Sequence, residues 1–246
     1  MRDNQSLAME YHENTKPSFR LQKYDPQIQY KVYCNTKKIP LKQNDICNVL
    51  HGEKSFLQTL LARESTRVFT SENISLDMLS KLLIFSFGLK CNKQGMTKRT
   101  FASAGARYPI EVYVAILRSD DIEQGVYHYN VIDNILELIK PKEECERLKE
   151  FYEIQSEAIN YPCLIFFSMV FSRTMDKYGE RGYRYALIDA GHMSQNLYLV
   201  ATYLELGVVA FGSGRDLDDR VDDIMGLNHN EENIFYGFAV GVPPSC

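Results

Sequence analysis

Lys177 and Tyr178 stand side by side in the segment Lys177–Tyr185 (KYGERGYRY), and an ammonium next to a phenol is a working acid–base unit. The positive charge favours phenolate, and partial desolvation lowers a lysine pKa. The competing reading is an exposed, charged helix start. Arg63, Ser65 and Arg67 (RESTR) supply two forked cations and a neutral donor that can converge on one phosphate; a solvated turn at a helix C-terminus is the other reading. Phe101–Pro109 (FASAGARYP) is a run of small residues. Backbone there can approach a flat ligand closely and Ser103 can donate to it, although a ligand-free tight loop explains the run equally well. Phe211–Asp216 (FGSGRD) is a glycine turn whose N–H groups can face an acceptor. It is neither GxGxxG, because Leu217 takes the last glycine position, nor GxSxG, because Phe211 and Arg215 flank it. His192, inside a long helix, reads as a satisfied interior histidine, and the five His form no set with Ser and Asp.

These segments need elements to hold them. Phe56, Leu57, Leu60 and Leu61 form the apolar face of a short helix ending near Arg63. A second helix starts at a Ser75 cap and ends before Gly88, with Leu76, Leu79, Leu82 and Leu83 inward. A basic loop, Lys90–Thr100, leads to a strand at Glu111–Arg118. Val126–Tyr129 and Ile135–Ile139 make a hairpin around Asp133-Asn134. Glu143–Ile159 is an amphipathic helix and Cys163–Phe171 a buried strand. Tyr183–Leu206 is a long helix closed by Gly207, apolar nearly all round and therefore central or at a subunit interface. Strands at Val208–Phe211 and Ile234–Val240 enclose a short helix, Leu217–Met225. The expected architecture is α+β in one layered domain, residues 53–246, preceded by an extended polar arm, residues 1–52, broken by Pro17, Pro26 and Pro40.

Composition narrows the function classes. The 246 residues carry 28 Lys+Arg against 32 Asp+Glu, a net charge of −4, which gives no general attraction to nucleic acid or anionic membranes. The apolar run Cys163–Phe171 is about half of what spans a bilayer. Six scattered Cys, without a CxxC pair, argue against zinc or any other metal, and the polar N-terminus points to reduced thiols in the cytoplasm. There is no Trp, so stacking surface comes from 16 Tyr and 13 Phe.

The order and spacing of the motifs resemble the FMN-dependent nitroreductase superfamily, and within it the SagB-type thiazole/oxazole-forming peptide dehydrogenases. The likeness runs from about Arg63 to Gly241. It is carried by SAGARYPIEVYV (Ser103–Val114), KYGERGYRYALIDAGHMSQNLYL (Lys177–Leu199) and FYGFAVGVP (Phe235–Pro243), with the early YHENTK (Tyr11–Lys16) also familiar from that subgroup. The resemblance implies a nitroreductase-like fold, a central, mixed but mostly antiparallel sheet flanked by helices, in a homodimer that shares FMN between subunits. It gives the FMN phosphate to Arg63, Ser65 and Arg67, the ribityl and pyrimidine side to Ser103, Ala104 and Gly105, a backbone N–H near flavin N5 to Ser213 and Gly214, and catalysis to Lys177 and Tyr178. Ala102 stands where the family has proline, and the basic C-terminal element of many relatives has no counterpart before Cys246, so Arg215 is expected to add a phosphate contact. The implied activity is oxidation of azoline rings in a peptide, with a cyclodehydratase complex as a further partner. A generic NAD(P)H-dependent nitro or quinone reductase and a non-catalytic flavoprotein scaffold are the alternatives.

Overall fold

A computed structural model describes residues 7–16, 30–42, 54–91, 97–155, 158–211 and 215–244. The elements in chain order are α1 (Leu7–Asn14), β1 (Lys38–Pro40), α2 (Phe56–Ala62), α3 (Leu76–Phe87), β2 (Leu89–Cys91), β3 (Thr97–Arg99), β4 (Ile110–Ile116), β5 (Gly125–Asn130) and β6 (Ile135–Lys140). Then follow α4 (Lys142–Gln155), β7 (Cys163–Val170), α5 (Ser172–Tyr178), α6 (Arg181–Tyr203), β8 (Gly207–Phe211), α7 (Arg215–Met225) and β9 (Glu232–Gly241).

A seven-stranded sheet runs β1-β6-β5-β4-β7-β9-β8 with every ladder antiparallel, and Val68–Ile159 adds one isolated parallel bridge. Its central strands are apolar on both faces because helices cover both. Ile110, Val112, Val114 and Ile116 of β4 join Ile165, Phe167 and Phe238 against Leu79, Leu82, Leu83, Met193 and Leu197 of α3 and α6. On the opposite face, Tyr113, Ala115, Leu164 and Phe166 pack with Cys145 and Leu148 of α4 and with Val221, Ile224 and Met225 of α7. Alternation along each strand therefore feeds two cores, giving the continuous apolar run of β7. This is the expected α+β architecture. No helix among the described residues is long and apolar enough to cross a membrane.

Several boundaries differ from those read in the sequence. The long helix spans Arg181–Tyr203 and is closed by Glu205, a non-glycine residue at φ 62°; Gly207 instead lies in β8, where an added Cβ would sit 2.7 Å from the Thr66 side chain. The expected loop Lys90–Thr100 begins and ends in a small hairpin, β2 with β3. The segment read as an extended arm contains α1 and the edge strand β1, paired with β6. The Ser75 cap of α3 is present, its Oγ accepting the Met78 N–H at 3.1 Å.

Phe167 is fully buried, edge-on to Phe87 at 5.4 Å and tilted against Phe238 at 4.9 Å. Phe167→Ala is expected to lower unfolding free energy by about 3–5 kcal/mol, read from the urea midpoint at unchanged slope.

Candidate functional site

Lys177 and Tyr178 do not start the long helix. They form the last turn of α5, which reverses into α6 through Gly179 at φ 56°, ψ −148°, a conformation that only glycine adopts readily. Gly182 lets α6 lie directly on α5, since a Cβ there would fall 2.7 Å from Thr174 and Met175 backbone. The two half-buried side chains face the small-residue loop: a Cβ added to Gly105 would lie 2.4 Å from Tyr178 Oη and 2.8 Å from Lys177 Nζ. Two motifs separated by more than seventy residues thus meet at one glycine. Lys177 Nζ lies 5.2 Å from the centre of the Tyr178 ring.

The loop is wound unusually tightly. Gly105, Ala106 and Tyr108 have φ of 60°, 54° and 49°, and the two non-glycine residues each store about 1–3 kcal/mol of strain. Its anchors are side chains that sequence patterns did not single out. Asp189 of α6, 2% exposed, accepts the Ser103 hydroxyl and the Ala104 N–H, the latter at 3.3 Å, while Ser103 Oγ accepts the Tyr108 N–H at 2.9 Å. Burial raises the Asp189 pKa; the Ser103 and Ala104 hydrogen bonds and nearby His192 pull the other way without cancelling it. The Ser103 proton is committed to Asp189, so Ser103 and Ala104 shape the loop and exposed Gly105 is the member facing outward.

Arg173, at the start of α5, ties the same loop to the sheet. It donates to the Tyr108 carbonyl at 3.0 Å, pairs with Glu111 of β4 at 2.5 Å, and its own carbonyl accepts Arg107 Nε at 2.7 Å. Glu111 also meets His128 Nε2 at 2.9 Å, and His128 Nδ1 meets Glu137 at 3.0 Å. A carboxylate on each nitrogen favours the protonated imidazole, which can donate to both. Burial alone would lower the His128 pKa, but the hydrogen bonds and charges of Glu111 and Glu137 outweigh it and the pKa is raised. Burial likewise opposes ionisation of Glu111, yet Arg173 and His128 hold its carboxyl well below the usual range. Lone charged residues inside the apolar strands IEVYVAI and GVYHYN were the available signal.

Arg63, Ser65 and Arg67 lie elsewhere. Their segment leaves the C-cap of α2 in extended form and is pinned beside β8 by the Thr66 N–H to the Val208 carbonyl at 3.0 Å. Arg63 stacks over Tyr198 of α6 at 5.7 Å, and Ser65 and Arg67 are exposed. Asp189 and Tyr198 are nine residues apart, roughly half a turn out of phase, so they leave α6 on opposite faces. One chain therefore joins the loop to Lys177–Tyr178 and leaves the arginine pair on another side. Ser213 and Gly214 lie outside the described residues; Arg215 opens α7. His192 is exposed, not interior as expected, with Nδ1 3.1 Å from the Ala102 carbonyl.

The site thus comprises a glycine notch beside a lysine and a tyrosine on a two-core α+β sheet, with the arginine–serine segment on another side. The Nitroreductase family profile matches residues 60–242, and the chain belongs to that family. A nitroreductase-type protein of Methanocaldococcus jannaschii is 34% identical over 161 residues, 65% of this chain and 80% of its own. The microcin B17-processing protein McbC of Escherichia coli is 32% identical over 139 residues, 54% of this chain and 50% of its own, so this chain matches only half of that relative. The solved E. coli microcin synthetase McbBCD complex, with truncated pro-microcin B17 bound, contains a chain with the same fold at TM-score 0.64 and 23% identity, covering 100% of this chain and 85% of that one.

Two outcomes follow from this geometry. Gly105→Ala, which forces a Cβ into Tyr178 Oη at positive φ, is expected to cost about 1–3 kcal/mol of stability by thermal melting. For the buried network, His128 with its raised pKa contributes stability that is complete below its unfolded value, about 6.5, and fades as pH rises through the folded value. Glu111, with its lowered pKa, contributes stability present above about 4.3 and lost as pH falls. His128→Phe should strip the alkaline limb from urea midpoints taken between about pH 5 and pH 9, and cost about 3–5 kcal/mol near neutrality because two buried carboxylates lose their shared donor.

Proposed function

We propose that the chain is an FMN-dependent dehydrogenase that oxidises thiazoline or oxazoline rings in a peptide to thiazole or oxazole. The observation that carries this reading is the meeting of Lys177 and Tyr178 at the Gly105 notch, a proton-handling pair that a simple flavin reductase has no need of. The identity to peptide-processing McbC supports it.

The residues present suit FMN: exposed Gly105 offers backbone that bears no side chain of its own, and Arg63, Ser65 and Arg67 offer anion donors on a pinned segment. FMN would be held by Arg63, Ser65 and Arg67 at its phosphate, by the loop Ser103, Ala104 and Gly105 along its ribityl and pyrimidine side, and by Ser213, Gly214 and Arg215 from the glycine turn. When bound it supplies a two-electron hydride acceptor. The chain supplies the rest. Aromatising an azoline removes a proton from Cα and a hydride from Cβ, and Lys177 or Tyr178 takes the proton while the other tunes its pKa. The strained loop, clamped by Asp189 and Arg173, fixes the distance between the notch and that base.

Phe56, Leu57, Leu60 and Leu61 of α2 and Leu187 and Ile188 of α6 are exposed apolar side chains on two helices that pack together. With the arginine pair and the loop on opposite faces of α6, a homodimer whose subunits complete each other's FMN site accounts for both facts. An azoline-bearing peptide and a cyclodehydratase complex are the further partners. Cys34, Cys145 and Cys163 are free thiols, in keeping with the cytoplasm.

Lys177→Ala and Tyr178→Phe should each slow the loss of about 2 Da per azoline by about 10²–10⁴-fold while flavin absorbance is retained. Turnover unchanged in both variants refutes the assignment, and rapid bleaching of the flavin by NAD(P)H with no azoline oxidation establishes the generic reductase instead. Leu57→Asp with Leu61→Asp should convert a dimer to a monomer by light scattering and release the flavin; a wild-type chain that is monomeric with flavin bound overturns the dimer.

A further inference from the structure

The YHENTK segment has a position in the fold that the proposed chemistry does not use. Helix α1 buries none of its own residues, and its Leu7 and Met9 are exposed. It is held by its C-terminal end. Arg184 Nη2 donates to the His12 and Tyr11 carbonyls at 2.5 and 3.2 Å, and Arg181 Nη1 donates to the Thr15 carbonyl at 3.4 Å. Tyr11 packs edge-on against Tyr183 at 5.9 Å beneath the Arg184 guanidinium, and Thr15, 2% exposed, is the buried foot of the segment. Terminal carbonyls of a helix carry partial negative charge, so two arginines are apt clamps for them.

Arg181 is clamped at both ends. While Nη1 reaches Thr15, Nε donates to Tyr185 Oη at 2.9 Å, and the Tyr185 ring stands edge-on to the Tyr178 ring at 5.0 Å and 82°. A guanidinium is a planar fork, so fixing one nitrogen on Thr15, directly after α1, orients the other toward Tyr185. We propose that Arg181 and Tyr185 are positioning residues that carry the docking of α1 to Tyr178. This rests on the reading of Lys177–Tyr178 as the acid–base pair. Each net hydrogen bond contributes only about 0.5–1.5 kcal/mol, so α1 belongs to the parts of the fold that open first, and its departure leaves Arg181 free to rotate away from Tyr185.

The chain lacks Trp, so Tyr11→Trp introduces a sole indole that reports whether α1 is docked, and 3-fluorotyrosine placed at position 178 reports the phenol's surroundings by ¹⁹F NMR. Both are read on the full chain and require neither flavin nor turnover. Arg184→Gln should red-shift the indole emission and shift or broaden the fluorine line. Tyr185→Phe keeps the ring but removes the acceptor, and should move the fluorine line with indole emission unchanged. Arg181→Gln should move the line as well, and Arg181→Lys should restore part of it. With a synthetic thiazoline peptide, Tyr185→Phe should lower kcat about tenfold and leave KM within about twofold. An unchanged fluorine line after Arg184→Gln has released α1, or after Tyr185→Phe, overturns the proposal. If the wild-type chain oxidises no thiazoline, the dehydrogenase reading fails and with it a catalytic purpose for the relay, while the fluorine data decide separately whether the relay exists.

Discussion

Everything at the candidate site hangs on one buried cation. Arg173 sits where α5 begins, and its guanidinium holds the Tyr108 carbonyl and the Glu111 carboxylate together. Removing it would free the helix that carries Lys177 and Tyr178, the loop that carries Gly105, and the strand beneath both. A guanidinium in the interior is costly to desolvate and stays only when its partners are well placed. Here Glu111 is itself neutralised further along by His128, and His128 by Glu137, so the charge is shared over β4, β5 and β6. Tyr33 extends the chain outward, its N–H donating to Glu137 at 2.9 Å.

This arrangement explains how strain survives in the loop. Positive φ at Ala106 and Tyr108 is unfavourable locally, and it persists because Arg173 and Asp189 grip the loop from two different helices. The positions of Gly105, Lys177 and Tyr178 are therefore set by two buried side chains, Arg173 and Asp189. Such second supports usually decide whether a site is accurate or merely present.

Much of the fold was legible in the sequence because periodicity reports burial directly. The caps at Ser75 and Gly88, the hairpin β5–β6 and the two-faced strand β7 all follow from local rules that tertiary packing did not overturn. The boundary of α6 was misplaced because its closing residue is Glu205, and a non-glycine in the left-handed region has no sequence signature. The hairpin β2–β3 escaped because three-residue strands carry too little pattern. In the site, the neighbours Lys177 and Tyr178 were visible as a pair, and Gly105 as a small residue. Their meeting was not, since it depends on a crossing of two helices. Asp189 and Arg173 were hidden because their partners are distant in sequence: Asp189 binds Ser103 and Ala104 of the loop, and Arg173 binds Tyr108 and Glu111.

The two edges of the sheet have a consequence for how this molecule can go wrong. At one end β1 is only three residues long and closes on Pro40, which has no N–H to offer a further strand. At the other, Thr66 lies along β8 and donates its N–H to Val208. Among the described residues, one rim is short and proline-ended and the other is partly covered. Short, proline-ended and partly covered edges work against fibrous, edge-to-edge association, so the backbone itself guards against that failure.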